Sequence, residues 1–271
     1  MSPMRKTARV VVRLDPGGAS SPALRAIARL AQVMDAEFAA RFIDDRRLTA
    51  ALAFESSAGD GDDHKAAIRH LERTLRRQIE AIAAEANMAW SFDIAQCSGI
   101  FATECALHAD DLLAIALPEI EQMMSMLREE ISAGLARTSG VLLMPRLQPS
   151  ANRPIVGMVI RESALPQVVD ASVEIATRMH QPLSFVVADG GDLLARVRKA
   201  VAAQWAGPGA VALHAVPSTQ VDYLAAQVRS LRPKLVIAAP PKTSLAEILA
   251  RPRLLREIGA PILLLPNDAA E

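Results

Sequence analysis

The chain has 271 residues, 51% of them apolar and 3% aromatic, with 30 Lys and Arg set against 30 Asp and Glu. That length suits two domains, and the apolar share excludes a disordered chain. The charge balance leaves no basic field for sequence-independent nucleic-acid binding. No apolar run approaches the roughly 18 residues that a membrane span needs.

The first unit opens with Arg9 to Leu14, an apolar strand rich in β-branched residues. Arg13 and Asp15 interrupt it, so it cannot serve as a signal-peptide core, and a cytoplasmic location is expected. Asp15-Pro-Gly-Gly18 makes a turn, and Ser21-Pro22 supplies an N-cap and first-turn proline. Leu24, Ile27, Ala28, Ala31 and Met34 then recur at helical spacing. Glu37 to Ile43 reads as a second strand, Glu55 to Asp63 as a polar loop, and His64 to Ala86 as a long amphipathic helix. Trp90 to Ala95 is a third strand, Phe101 to Ala109 a short helix and Asp111 to Leu117 a fourth strand. Glu119 to Ala136 reads as a helix and Val141 to Met144 as the fifth strand.

The second unit repeats that order. Strands are predicted at Ile155 to Ile160, Leu183 to Ala188, Val211 to Val216, Leu235 to Ala239 and Ile262 to Leu265. Helices are predicted at Pro166 to Met179, Leu193 to Trp205, Gln220 to Leu231 and Leu245 to Ile258. Alternating strands and helices imply parallel sheets covered on both faces. Pro22 matches Pro166, and Phe42 to Asp45 matches Val186 to Asp189. Asp111 to Pro118 matches Lys234 to Pro241, and Gly140 to Pro145 matches Pro261 to Pro266. A tandem repeat accounts for all four pairs. The expected domains are 1–148 and 149–271, with Arg146 to Pro154 as the linker.

The run Arg253 to Leu265 is similar to the closing helix, proline-containing turn and last strand of universal stress proteins. Val10 to Asp15, followed by small residues and Ser21, resembles that family's opening strand, its Asp and its Gly/Ser turn. The resemblance implies two tandem doubly wound α/β domains of the adenine-nucleotide-hydrolase-like kind, each a five-stranded parallel sheet. In ATP-binding members the fourth strand is followed by a Gly, a second Gly after two residues, and Gly-Ser or Gly-Thr after nine more. Those glycines let backbone N–H groups approach the triphosphate. Here Leu117-Pro-Glu-Ile-Glu-Gln has none, and Ala239-Pro-Pro-Lys-Thr-Ser has none. Glu119 and Glu121 would repel a phosphate. The family's Asp survives once, as Asp15, with Ile160 or Glu162 as its second-unit counterpart.

The resemblance therefore implies a non-catalytic stress-response protein whose ATP motif is lost in both repeats, acting through a small ligand or protein partner. Residues left to hold a ligand are Asp15, Gly17, Gly18 and Ile43 in the first unit, and Lys242, Thr243 and Ser244 in the second. The alternatives are a nucleotide- or small-molecule-binding protein or enzyme using the Asp15 loop, and a scaffold. Family members commonly pair through their fifth strands, which implies an internal pseudo-dimer through Val141 to Met144 and Ile262 to Leu265, with homodimerisation of the whole chain also open.

Other motifs carry bland readings. Cys97 and Cys105 are read as free thiols. His64 and His70 are poorly spaced for a shared metal. Asp60 to His64 is acidic, yet position twelve from Asp60 is Leu71, where a calcium loop needs a bidentate Glu. Met123, Met124 and Met126 read as core, and Arg69, Arg73, Arg76 and Arg77 as an exposed helix face.

Overall fold

The computed structural model describes residues 7–14, 20–43, 61–97, 100–116, 124–145, 153–188, 191–207, 209–217, 219–241, 255 and 257–267. The first unit runs β1 (Arg9–Leu14), α1 (Ser21–Val33), β2 (Glu37–Ile43), α2 (Gly61–Ala86), β3 (Trp90–Ala95), α3 (Phe101–Glu104), β4 (Asp111–Ala116), α4 (Met124–Arg137) and β5 (Gly140–Met144). The second runs β6 (Ile155–Val159), a 3₁₀ turn (Glu162–Ala164), α5 (Leu165–Arg178), β7 (Leu183–Ala188), α6 (Gly191–Ala202), β8 (Ala212–Val216), α7 (Val221–Ser230), β9 (Leu235–Ala238) and β10 (Ile262–Leu264).

The ten strands form one sheet in the order β3-β2-β1-β4-β5-β10-β9-β6-β7-β8. It comprises two tandem doubly wound halves of five strands each. Every neighbouring pair is parallel except β5 and β10, which run antiparallel with Val141 opposite Leu264, Leu142 opposite Leu263 and Leu143 opposite Ile262. Such strands are apolar throughout because both faces are covered. Alternate side chains feed opposite core layers: Val10, Val12 and Leu14 enter one, and Val11 enters the other. Each layer draws on both halves, so the seam is buried rather than hinged. Gly140 is required there, because a Cβ would stand 2.8 Å from the Leu264 carbonyl oxygen.

Local chemistry explains where elements start and stop. Ser20, not Ser21, caps α1, its hydroxyl accepting from the Ala23 N–H. The short helix α3 ends at Glu104 instead of continuing to Ala109, because Cys105 turns extended. It lacks a side-chain N-cap of its own, and buried Glu130 from α4 supplies the acceptor for the Ala102 N–H at 2.8 Å. Helix α2 begins at Gly61, ahead of the expected His64. On it Leu75, Ile79 and Ile82 are buried, Arg69, Arg73 and Arg77 are exposed, and Arg76 lies 5.8 Å above the Phe92 ring. Of the helix expected at Leu245 to Ile258, only Leu255, Glu257 and Ile258 are described. Met123 and the side chains of Met124 and Met126 lie outside the described residues.

The strand registers relate the halves residue by residue. Helices α1 and α5 close alike, with caps at Met34 and Met179 followed by positive-φ Asp35 and His180. Four residues past the caps, Phe38 and Leu183 face Val10 and Ile155, which face Leu112 and Leu235 on the other side. Asp15 thereby corresponds to Ile160, Arg9 to Pro154 and Asp111 to Lys234. Phe42 corresponds to Val187, one residue from the sequence-based match to Val186. The cause is helix length: α5 has 14 residues and α1 has 13, so an alignment anchored on Pro22 and Pro166 slips by one.

Candidate functional site

Parallel α/β sheets place ligands beyond the carboxyl ends of their strands. Of the residues expected there, Asp15, Gly17, Gly18, Lys242, Thr243 and Ser244 lie outside the described residues. Ile43 ends β2 opposite Ala95 and is 3% exposed, in the same apolar layer as Val11 and Ile115.

The corresponding edge of the second half is described further. Ile160 occupies the position of Asp15 and is buried in the core. Glu162, the other candidate counterpart, opens the 3₁₀ turn and pairs with Arg196. Beyond β9, Pro240 and Pro241 are buried. Neither has an N–H, so two successive positions cannot donate to an anion. The adjoining apolar cavity, lined by Ile160, Leu224 and Leu255 among others, measures about 30 Å³, room for a water and no more.

Two larger cavities flank the β5–β10 seam, and the strand registers make them counterparts. The first, about 280 Å³, lies between α1, β5 and the entry ends of β6, β9 and β10. The second, about 620 Å³, lies between α5, β10 and the entry ends of β1, β4 and β5. Where α1 and α5 meet between them, Arg178 donates to the Val33 carbonyl at 2.8 Å. The first cavity has Leu142, Met144 and Leu235 in its wall and four cations around it: Arg25, Arg29, Arg153 and Lys234. No described lining residue is acidic. The second carries Arg137 and Asp170, the latter accepting from Gln204 at 2.8 Å.

The inversion arises at matched positions. Arg25 and Arg29, counted back from the α1 cap, correspond to Asp170 and Glu174 on α5. Asp111, fully buried, accepts two hydrogen bonds from Arg9 at 2.8 and 2.7 Å and one from the His108 N–H. Its counterpart Lys234 has proline where Arg9 would be. Burial, assisted by the charge of Arg29, lowers the Lys234 pKa.

Elsewhere the structure joins residues that the sequence left apart. Sγ of Cys97 lies 3.2 Å from Sγ of Cys105, with no disulfide between them. Among the described residues, no three His, Cys, Asp or Glu side chains gather where a metal could be held. No described helix is long and apolar enough to cross a membrane.

No model of a known protein family matches the sequence, and no curated protein does. Solved structures do match in fold. A universal stress protein from Archaeoglobus fulgidus DSM 4304 superposes with a TM-score of 0.63 at 12% identity, over 95% of this chain and 98% of that one. A protein of unknown function from Pseudomonas aeruginosa PAO1 gives 0.59 at 17% identity, over 98% and 95%. The cytoplasmic domain of a prokaryotic cation chloride cotransporter gives 0.54 at 13% identity, over 98% and 97%. The fold is thus that of universal stress proteins and their structural relatives.

Proposed function

We propose that this is a non-catalytic, cytoplasmic protein of the universal stress class that has lost the phosphate grip in both halves and acts through another ligand or a protein partner. The observation that carries this reading is buried Ile160 at the position of Asp15, followed on the neighbouring strand by the donor-less pair Pro240 and Pro241. The missing glycines after Leu117 and Ala239 support it from the sequence side. The antiparallel β5–β10 seam supports an internal pseudo-dimer. A thermal-shift titration with ATP and AMP tests the reading: the melting temperature stays unmoved, and clear stabilisation at millimolar nucleotide would sink it.

A second reading keeps a nucleotide or small-molecule site on the Asp15 loop of the first half alone. Under it Asp15→Ala abolishes binding. A third, scaffolding, is favoured by the likeness to a transporter's cytoplasmic domain, and it predicts no small-molecule response at all.

A further inference from the structure

We propose that the first seam cavity is a binding site for an amphiphilic organic anion, an apolar chain or ring bearing one carboxylate or phosphate head. Its apolar part would lie against Leu142, Met144 and Leu235, and its head against Lys234, Arg29 and Arg153. This inference stands apart from the preceding one, because none of the cavity's described lining residues belongs to the ligand set expected at the carboxyl-edge loops.

Three observations converge on it. The cavity is concave and mostly apolar, with polar groups few and of one sign, the usual makeup of a small-ligand site. Three of its four cations also lack a side-chain partner among the described residues. Arg25 pairs with Glu85 at 3.2 Å, but Arg29, Arg153 and Lys234 have none there. Clustered like charges beside an apolar wall are unfavourable unless something neutralises them. Finally, the sister cavity serves as an internal control. At the matched positions stand Asp170, which lines that cavity and accepts from Gln204, Glu174, which pairs with Arg178, and Asp111, which is neutralised by Arg9. Among the described lining residues, the charges of the first cavity are all positive, whereas the second sets Arg137 beside Asp170, and an anionic head offsets the first.

Isothermal titration of the full chain tests this with octanoate, octyl phosphate, octanol and inorganic phosphate as probes. Saturable binding of one octanoate or octyl phosphate per chain is expected, with the tighter of the two identifying the preferred head. Octanol, which lacks the charge, and inorganic phosphate, which lacks the tail, should bind at least about ten-fold more weakly. Lys234→Met and Arg29→Met should each weaken the amphiphile by about ten-fold, the loss of one charge-assisted contact. Arg137→Met, in the sister cavity, should leave it unchanged. Arg29 is exposed, so its variant reports even if Lys234→Met unfolds; circular dichroism melts identify that case. Absence of saturable binding by both amphiphiles overturns the proposal. So does octanol binding as well as octanoate, phosphate binding as well as octyl phosphate, or sensitivity to Arg137→Met in place of Lys234→Met and Arg29→Met.

Discussion

Beside the β5–β10 seam, one cavity gathers Arg25, Arg29, Arg153 and Lys234, whereas its counterpart holds Arg137 and Asp170. The two share helix, strand and loop positions, so the fold supplies concavity twice and leaves chemistry to a few side chains. Duplication thereby separates two requirements. One half keeps an ion pair at the strand entry, as Arg9 and Asp111 do, while at the matched position the other has Lys234, which has no side-chain partner among the described residues. The same exchange occurs in the core. Val12 opposes Ala40 in the first half, and Gly157 opposes Phe185 in the second, so volume lost on one strand is regained on the next.

The halves can be set against each other by mutation. The largest effect is expected for Asp111→Ala, which strands a guanidinium and the His108 N–H; chemical denaturation should show a loss of about 3 kcal/mol. Lys234→Ala, at the matched position, should show no such loss. Next is Gly157→Val, which puts the first half's residue into the second. Its Cβ would stand 2.4 Å from the Phe185 ring, and a loss of about 2 kcal/mol is expected. Adding Phe185→Ala should recover part of it, and no recovery would break the volume-exchange account.

A smaller effect distinguishes the halves by redox state. Diamide should take the two thiol hydrogens of Cys97 and Cys105 to form one intramolecular disulfide, read as loss of both thiol titres with no covalent cross-link between chains. The second half has no cysteine and should be unaffected. Smallest is Lys234→Met, expected to raise stability at neutral pH by a few tenths of a kcal/mol. The native pKa of Lys234 lies below its ordinary 10.5, so the unfolded chain holds more protons between the two values. Wild-type stability should therefore gain a component as pH climbs towards 10.5, and the variant should lack it.

The type of each element and its order along the chain were readable because buried parallel strands and amphipathic helices impose short-range patterns. Trp90 to Ala95 and Leu183 to Ala188 are found as expected. Boundaries that depend on partners elsewhere were not readable. Nothing near Phe101 announces that Glu130 caps its helix, and nothing near Ser21 says that Ser20 does. Of the expected ligand residues only Ile43 is described, and it is core. The cationic cavity left no local signal, because Arg29, Arg153 and Lys234 are distant in sequence and meet only across the seam. One clue was available: Asp111 to Pro118 matches Lys234 to Pro241, and that match begins with a reversal of charge.

The position of β10 has a consequence for biogenesis. Among the described strands it is the last in chain order, yet it sits in the middle of the sheet, between β5 and β9. A growing chain that has emerged only as far as β9 carries two four- or five-stranded sheets with open, apolar inner edges at Val141 to Leu143 and Leu235 to Ala238. Such edges recruit strands from any neighbour that offers them. Insertion of three residues, Ile262 to Leu264, closes both at once. Seating β10 is therefore what joins two halves with open edges into one sheet, and a chain in which it has not seated holds out two templates for aggregation.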